Sequence, residues 1–149
     1  MGKKNNNKGP DALGRHFLVE LWDCNHATLE SLDKVKSAMI GAAKKGKATI
    51  IDISFHEFSP FGISGMVVIA RSYLSIHAWP EHNYAAVDIF ICGAVINPQV
   101  AAEYLIEKFG SKNSSIIEIK RGYIPDAGVL IHKPPKTAPP PISEAAKKL

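Results

Sequence analysis

Between Leu13 and Ile124 the apolar positions change period in a regular way. Phe17, Val19 and Leu21 alternate with Glu20 and Trp22, which predicts a half-buried strand. Leu32, Val35, Met39 and Ala42 or Ala43 follow at helical spacing, and Gly46 offers a stop. Thr49 to Phe58, with Ile50, Ile51, Ile53 and Phe55, predicts a strand that ends in a turn at Ser59-Pro60-Phe61-Gly62. Gly65 to Ile69, Leu74 to Trp79 and Tyr84 to Cys92 read as further short strands. Asn97-Pro98 supplies an N-cap and a proline at the first helical position. Ala101, Leu105 and Phe109 then form a helical face closed by Gly110, and Ser115 to Lys120 is a last strand.

The order condenses to β-α-β-β-β-α-β. Short links between the middle strands require a mostly antiparallel sheet. The expected class is α+β, a two-layer α/β sandwich with both helices on one face. The other face then lacks a cover. A second copy of the chain can supply it, sheet stacked on sheet, so a homodimer is expected.

Composition narrows the class. The chain has 149 residues, of which 46% are hydrophobic and 21% charged, a mix that excludes a collagen, a coiled coil and a wholly disordered chain. Residues 1–12 form a basic Lys/Asn/Gly stretch that buries nothing, expected to be disordered. The ordered domain spans 13–124. Residues 125–149 hold Pro125, Pro134, Pro135, Pro139, Pro140 and Pro141 and are expected to form a flexible tail. The net charge of +4 is concentrated at these ends, without the aromatic–basic interleaving of a nucleic-acid surface. No apolar run approaches the ~18 residues of a membrane helix, and no apolar stretch behind the basic start resembles a secretory signal. A cytoplasmic location is expected, with Cys24 and Cys92 as free thiols.

Reactive residue types crowd into 55–93: His56, Glu57, Ser59, Ser64, Ser72, Ser75, His77, Glu81, His82, Asp88 and Cys92. Taken one by one, each has a plain structural role available. Ser72 is a strand-end serine without the Gly-x-Ser-x-Gly of a hydrolase elbow. Ser72 and His77 lie on opposite faces of a straight strand and meet only if the chain bends. His56 and Glu57 also point to opposite faces, and His77 and His82 lack a third ligand, so no metal is expected. From residues alone, the reading is an α/β domain with a polar cluster in its central sheet.

Five segments carry a resemblance: Leu13-Gly-Arg-His-Phe-Leu-Val-Glu-Leu-Trp-Asp-Cys24, Phe55-His-Glu-Phe-Ser-Pro60, Ile63-Ser-Gly65, Ser72-Tyr-Leu-Ser-Ile-His-Ala-Trp-Pro-Glu81 and Tyr84-Ala-Ala-Val-Asp-Ile-Phe-Ile-Cys-Gly93. Together they resemble the short prokaryotic S-adenosylmethionine decarboxylases, over about Leu13 to Gly122. The resemblance implies a proenzyme that cuts itself between Arg71 and Ser72 into β and α chains. Ser72 would become a pyruvoyl group, the covalent cofactor that takes the substrate amine as a Schiff base. Ser64 would steady the rearranging carbonyl, and His77 would accept the α-proton during processing. Cys92 would return a proton after carbon dioxide leaves, as a thiol with a reference pKa of about 8.5 can do. Phe58 would stack on the adenine, Glu81 would hold the ribose hydroxyls, and Trp79 would line the site. The product, decarboxylated S-adenosylmethionine, would feed spermidine biosynthesis.

One position departs from the family pattern, which has Glu before the cleaved serine where this chain has Arg71. Cleavage uses the backbone carbonyl of that residue, so processing should survive. The substrate sulfonium is a cation, and two like charges about 4 Å apart cost roughly 1–4 kcal/mol. Two alternatives therefore stand beside the main reading. One is a homologue redirected to L-ornithine or L-arginine with the same chemistry. The other is a non-cleaving regulatory paralogue, against which intact Ser72, His77 and Cys92 argue.

Overall fold

A computed structural model describes residues 12–93 and 96–123. The expectations for the basic N-terminal stretch up to Asp11 and for the proline-rich tail lie outside the described residues. The elements are β1 (Gly14–Trp22), α1 (His26–Leu29), α2 (Leu32–Lys45), β2 (Ile50–Glu57), β3 (Ile63–Ile69), β4 (Ser72–Trp79), β5 (Tyr84–Cys92), α3 (Pro98–Phe109) and β6 (Asn113–Arg121).

The strands form one antiparallel sheet in the order β2-β3-β4-β5-β1-β6. The two-layer α+β class holds, with one correction to the order. Four strands, not three, separate α2 from α3. The chain reverses at Ala70-Arg71 with only two residues between β3 and β4. The segments expected at 49–58, 65–69, 74–79 and 84–92 correspond to those four strands, and the condensed order is one strand short. The short α1 also lacked a periodic signal, being four residues long.

Strict alternation sorts the side chains. Phe17, Val19 and Leu21 of β1, Leu74, Ile76 and Ala78 of β4, and Ala85, Val87, Ile89 and Ile91 of β5 are buried toward the helices. Val35, Met39, Ala42, Leu105 and Phe109 of α2 and α3 complete this core. Each large side chain there contributes about 1.5–3 kcal/mol through burial.

The helices are ended by named groups. The Ser31 hydroxyl accepts from the Lys34 amide at 3.3 Å, and Lys44 and Lys45 complement the dipole at the far end of α2. Asn97 Oδ1 accepts from the Val100 amide at 3.2 Å, with Pro98 at the first helical position. Gly110, at φ 61°, ends α3 in the left-handed conformation that glycine takes without strain. Among the described residues no helix is long and apolar enough to cross a membrane.

With the helices on one side, the other side of the sheet is open. Trp22, Met66, Trp79, Ile117 and Ile119 point outward from it, each between 38 and 55% exposed.

Candidate active site

The expected site residues occupy two separate ends of the sheet. Arg71, Ser72 and Cys92 stand at one end. Phe58, Ser64, His77, Trp79 and Glu81 stand at the other. β4 runs unbroken from Ser72 to Trp79, so the bend expected between Ser72 and His77 is absent. Five residues of strand separate the two by about 16 Å. They also face opposite ways, Ser72 buried on the helix side and His77 exposed on the open side.

At the first end the β3–β4 hairpin closes through Ala70 and Arg71, with Ile69 paired to Ser72. Arg71 has φ 66°. A side chain in that left-handed conformation costs about 1–2 kcal/mol relative to glycine. Hairpin turns that match strand twist need a positive φ at their first loop residue, and here only the second has it. The peptide bond joining Arg71 to Ser72 thus leaves a strained residue. The Ser72 hydroxyl accepts a hydrogen bond of 3.0 Å from the amide of Cys92. That donor fixes the oxygen and favours negative charge on it. Cys92 itself ends β5 half-buried, and its side chain belongs to the open face opposite Gly14.

At the second end, register aligns His56, Ser64 and His77 abreast across β2, β3 and β4. Ser64 Oγ lies 2.8 Å from His77 Nδ1. The Phe58 ring sits 4.7 Å from that of His56, edge to face, just past the end of β2. Glu81 occupies the Pro80–His82 turn after β4. His26 Nδ1 donates to the Pro80 carbonyl at 2.9 Å, and the Cys24 amide donates to the Asn83 carbonyl at 2.9 Å, which clamps this turn to the chain after β1. Trp79 stacks on Tyr84 at 5.4 Å, and Tyr84 on Trp22 at 5.9 Å, so Trp79 is one member of an aromatic row across three strands.

Between the two ends lie polar groups that the sequence reading did not single out as site residues. His16 Nε2 donates to Asp88 Oδ1 at 2.9 Å. The Tyr84 hydroxyl donates to Glu20. Burial first, then this bond and the nearby negative charge, push the Tyr84 phenol up to about 12. Phe90 stacks on Tyr73 at 5.7 Å, beside Ser72. The signal was present in the strand period. His16 and Glu20 of β1, and Tyr84 and Asp88 of β5, fall on the phase opposite to the buried set.

Residues 15–122 match the family model described as S-adenosylmethionine decarboxylase. The S-adenosylmethionine decarboxylase proenzyme of Thermodesulfovibrio yellowstonii is 58% identical over 113 residues, covering 76% of this chain and 84% of that protein. The proenzyme of Acidithiobacillus ferrooxidans is 44% identical over 122 residues, covering 82% and 92%. The crystal structure of the adenosylmethionine decarboxylase from Aquifex aeolicus superposes with a TM-score of 0.73 at 29% identity, covering 78% of this chain and 96% of that one. With a matched span that takes in both ends of the open sheet face, the chain belongs to the S-adenosylmethionine decarboxylase family.

Proposed function

We propose that this chain cuts itself between Arg71 and Ser72 and then decarboxylates S-adenosylmethionine. The observation that carries the reading is the placement of Ser72: its hydroxyl is held by the Cys92 amide, directly after a residue at φ 66°. Attack of that oxygen on the Arg71 carbonyl carbon turns the amide into an ester and releases the strained turn. A base then removes the Ser72 α-proton, and elimination expels Arg71 as a carboxylate. Water replaces the nitrogen of the resulting enamine, ammonia leaves, and a ketone caps the new chain at position 72.

The residues around position 72 fit such a pyruvoyl group. It has no side chain to house beyond a methyl, and Tyr73, Phe90 and Cys92 border the place. When present, the group supplies an electron sink for the decarboxylation. Cys92, the thiol of that border, delivers the proton that replaces the lost carboxylate.

The processing base comes from a second copy of the chain. His77 is about 16 Å from Ser72 within one chain, and no bend shortens this. Stacking two open faces about a twofold axis perpendicular to β4 reverses the ends. The partner then lays its Ser64–His77 pair over Ser72, together with its Phe58, Trp79 and Glu81. The adenosyl group would rest between Phe58 and Glu81 while the amino-acid part reaches position 72. Exposed Trp22, Met66, Trp79, Ile117 and Ile119 make such stacking favourable. A homodimer is thus part of the proposed site.

The relatives described above are named for S-adenosylmethionine, which favours this substrate over ornithine or arginine. Intact mass of freshly purified protein, followed by carbon dioxide release from S-adenosylmethionine, ornithine and arginine in parallel, tests the reading. Two fragments and release from S-adenosylmethionine are expected. An uncut chain, or release from ornithine or arginine alone, overturns it.

A further inference from the structure

We infer that Arg121 is the anchor for the substrate's α-carboxylate, a role that rests on the function proposed above. Register sets Arg121, Gly14 and Cys92 abreast on β6, β1 and β5 at the reactive end of the open face. Gly14 interposes no side chain. A Cβ there would stand 2.9 Å from Phe90 Cζ, so the Phe90 ring lies over β1 where a larger residue would have blocked it. The Arg121 guanidinium sits above the same ring, its carbon 5.6 Å from the centroid. The Phe90 ring in turn stacks on Tyr73, the residue that follows Ser72.

Charge separates Arg121 from its surroundings. Along the six strands, among the described residues, it is the one Lys or Arg whose position falls on the open face. Arg15 and Lys120 take the opposite phase, and Arg15 is engaged with Glu118 at 2.6 Å. The ion pairs among the described residues do not include Arg121. A guanidinium offers two parallel donors that match a carboxylate.

The geometry fits the chemistry. Three strand spacings of about 4.8 Å separate the Arg121 and Ser72 backbones, and a long side chain from one end plus a bound amino acid at the other can span that gap. Cys92 lies between them, in the row of Gly14 and Arg121 and on the strand next to β4, on the side from which a proton donor reaches the α-carbon. Decarboxylation is fastest when the breaking bond stands across the plane of the electron sink. A fixed carboxylate sets that angle.

Arg121 contacts the part of the substrate that leaves, so its removal weakens binding of the substrate and not of the product. The test compares wild type with Arg121→Gln, and with Arg121→Met, which keeps the stem over Phe90 should the first variant fold poorly. KM for S-adenosylmethionine and the inhibition constant of its decarboxylated product are measured together, with the extent of self-cleavage. The expected result is a KM raised at least tenfold, a kcat lowered as the carboxylate loses its fixed angle, and product inhibition and cleavage unchanged. An unchanged KM, or equal weakening of substrate and product, overturns the assignment while leaving the function standing. Wild-type protein that cuts but releases no carbon dioxide from S-adenosylmethionine overturns the function, and this assignment with it.

Discussion

Ser64 and His77 share a 2.8 Å hydrogen bond across β3 and β4, at the end of the sheet away from Ser72. For His77 to accept a proton through Nε2, its Nδ1 must carry the hydrogen and donate to Ser64. The Ser64 hydroxyl hydrogen is then free to point at an oxygen on another chain. Co-expression checks this arrangement. His77→Ala alone should stay uncut, and so should Ser72→Ala alone. Together they should form mixed dimers in which the His77→Ala chain is cut by its partner. Mixed dimers that form but leave that chain whole would sink the two-chain site.

Strain at Arg71 predicts a second result. In a Ser72→Ala background, Arg71→Gly should stabilise the uncut chain by about 1 kcal/mol, since glycine takes φ 66° freely. That corresponds to a rise of about 4 °C in Tm. With Ser72 intact, the same substitution should slow self-cleavage, read as fragment yield against time. Equal cleavage rates would mean that the turn conformation does not drive the reaction.

Gly65 leaves room for the Phe55 ring, which lies across it from β2. A methyl group at 65 would fall within that ring, so Gly65→Ala must displace either Phe55 or β3. The expected loss is about 1–3 kcal/mol. Denaturant unfolding measures it. Because Ser64 is the adjacent residue, cleavage should slow as well.

Stability should decline on the alkaline side for two reasons. Burial pushes the Cys24 thiol from 9.0 up to about 11, with Ser111 opposing and Asp23 adding to the shift. Tyr84 rises from 10.0 to about 12. Both groups stay neutral in the fold while the unfolded chain ionises. Their contributions are therefore complete below pH 9 and 10 respectively, and vanish as pH climbs through 11 and 12. Cys24→Ala should flatten the fall between pH 9 and 11, and Tyr84→Phe that between 10 and 12, in thermal melts across this range. Unchanged slopes would refute the assignment of these groups.

Much of the architecture was legible because alternation and helical spacing are local. Phe17, Val19 and Leu21, or Leu105 and Phe109, announce their faces without reference to the rest of the chain. Asn97-Pro98 and Gly110 mark both ends of α3 for the same reason. The break between the strands expected at 65–69 and 74–79 was legible, but the positive φ of Arg71 was not, because neither Ala70 nor Arg71 is a turn former. The pairing of Ser64 with His77 depends on register between segments thirteen residues apart, and Arg121 with Cys92 on strands far apart in sequence. Such relations emerge only when the sheet is assembled. The residue resemblance supplied the roles proposed for Ser72, His77 and Cys92. Geometry added the separation that one chain cannot close.

The strand order bears on what the proposed cleavage would leave behind. A break after Arg71 assigns β1, β2 and β3 to one fragment and β4, β5 and β6 to the other. Yet β1 lies between β5 and β6, hydrogen-bonded to both. The fragments are woven together, and neither owns a complete sheet. Heat or urea that separates them would turn a unimolecular return into a search between two solutes, at a rate set by concentration. If the chain cuts itself as proposed, maturation trades reversible folding for a ketone, and the protein has to assemble fully before it is severed.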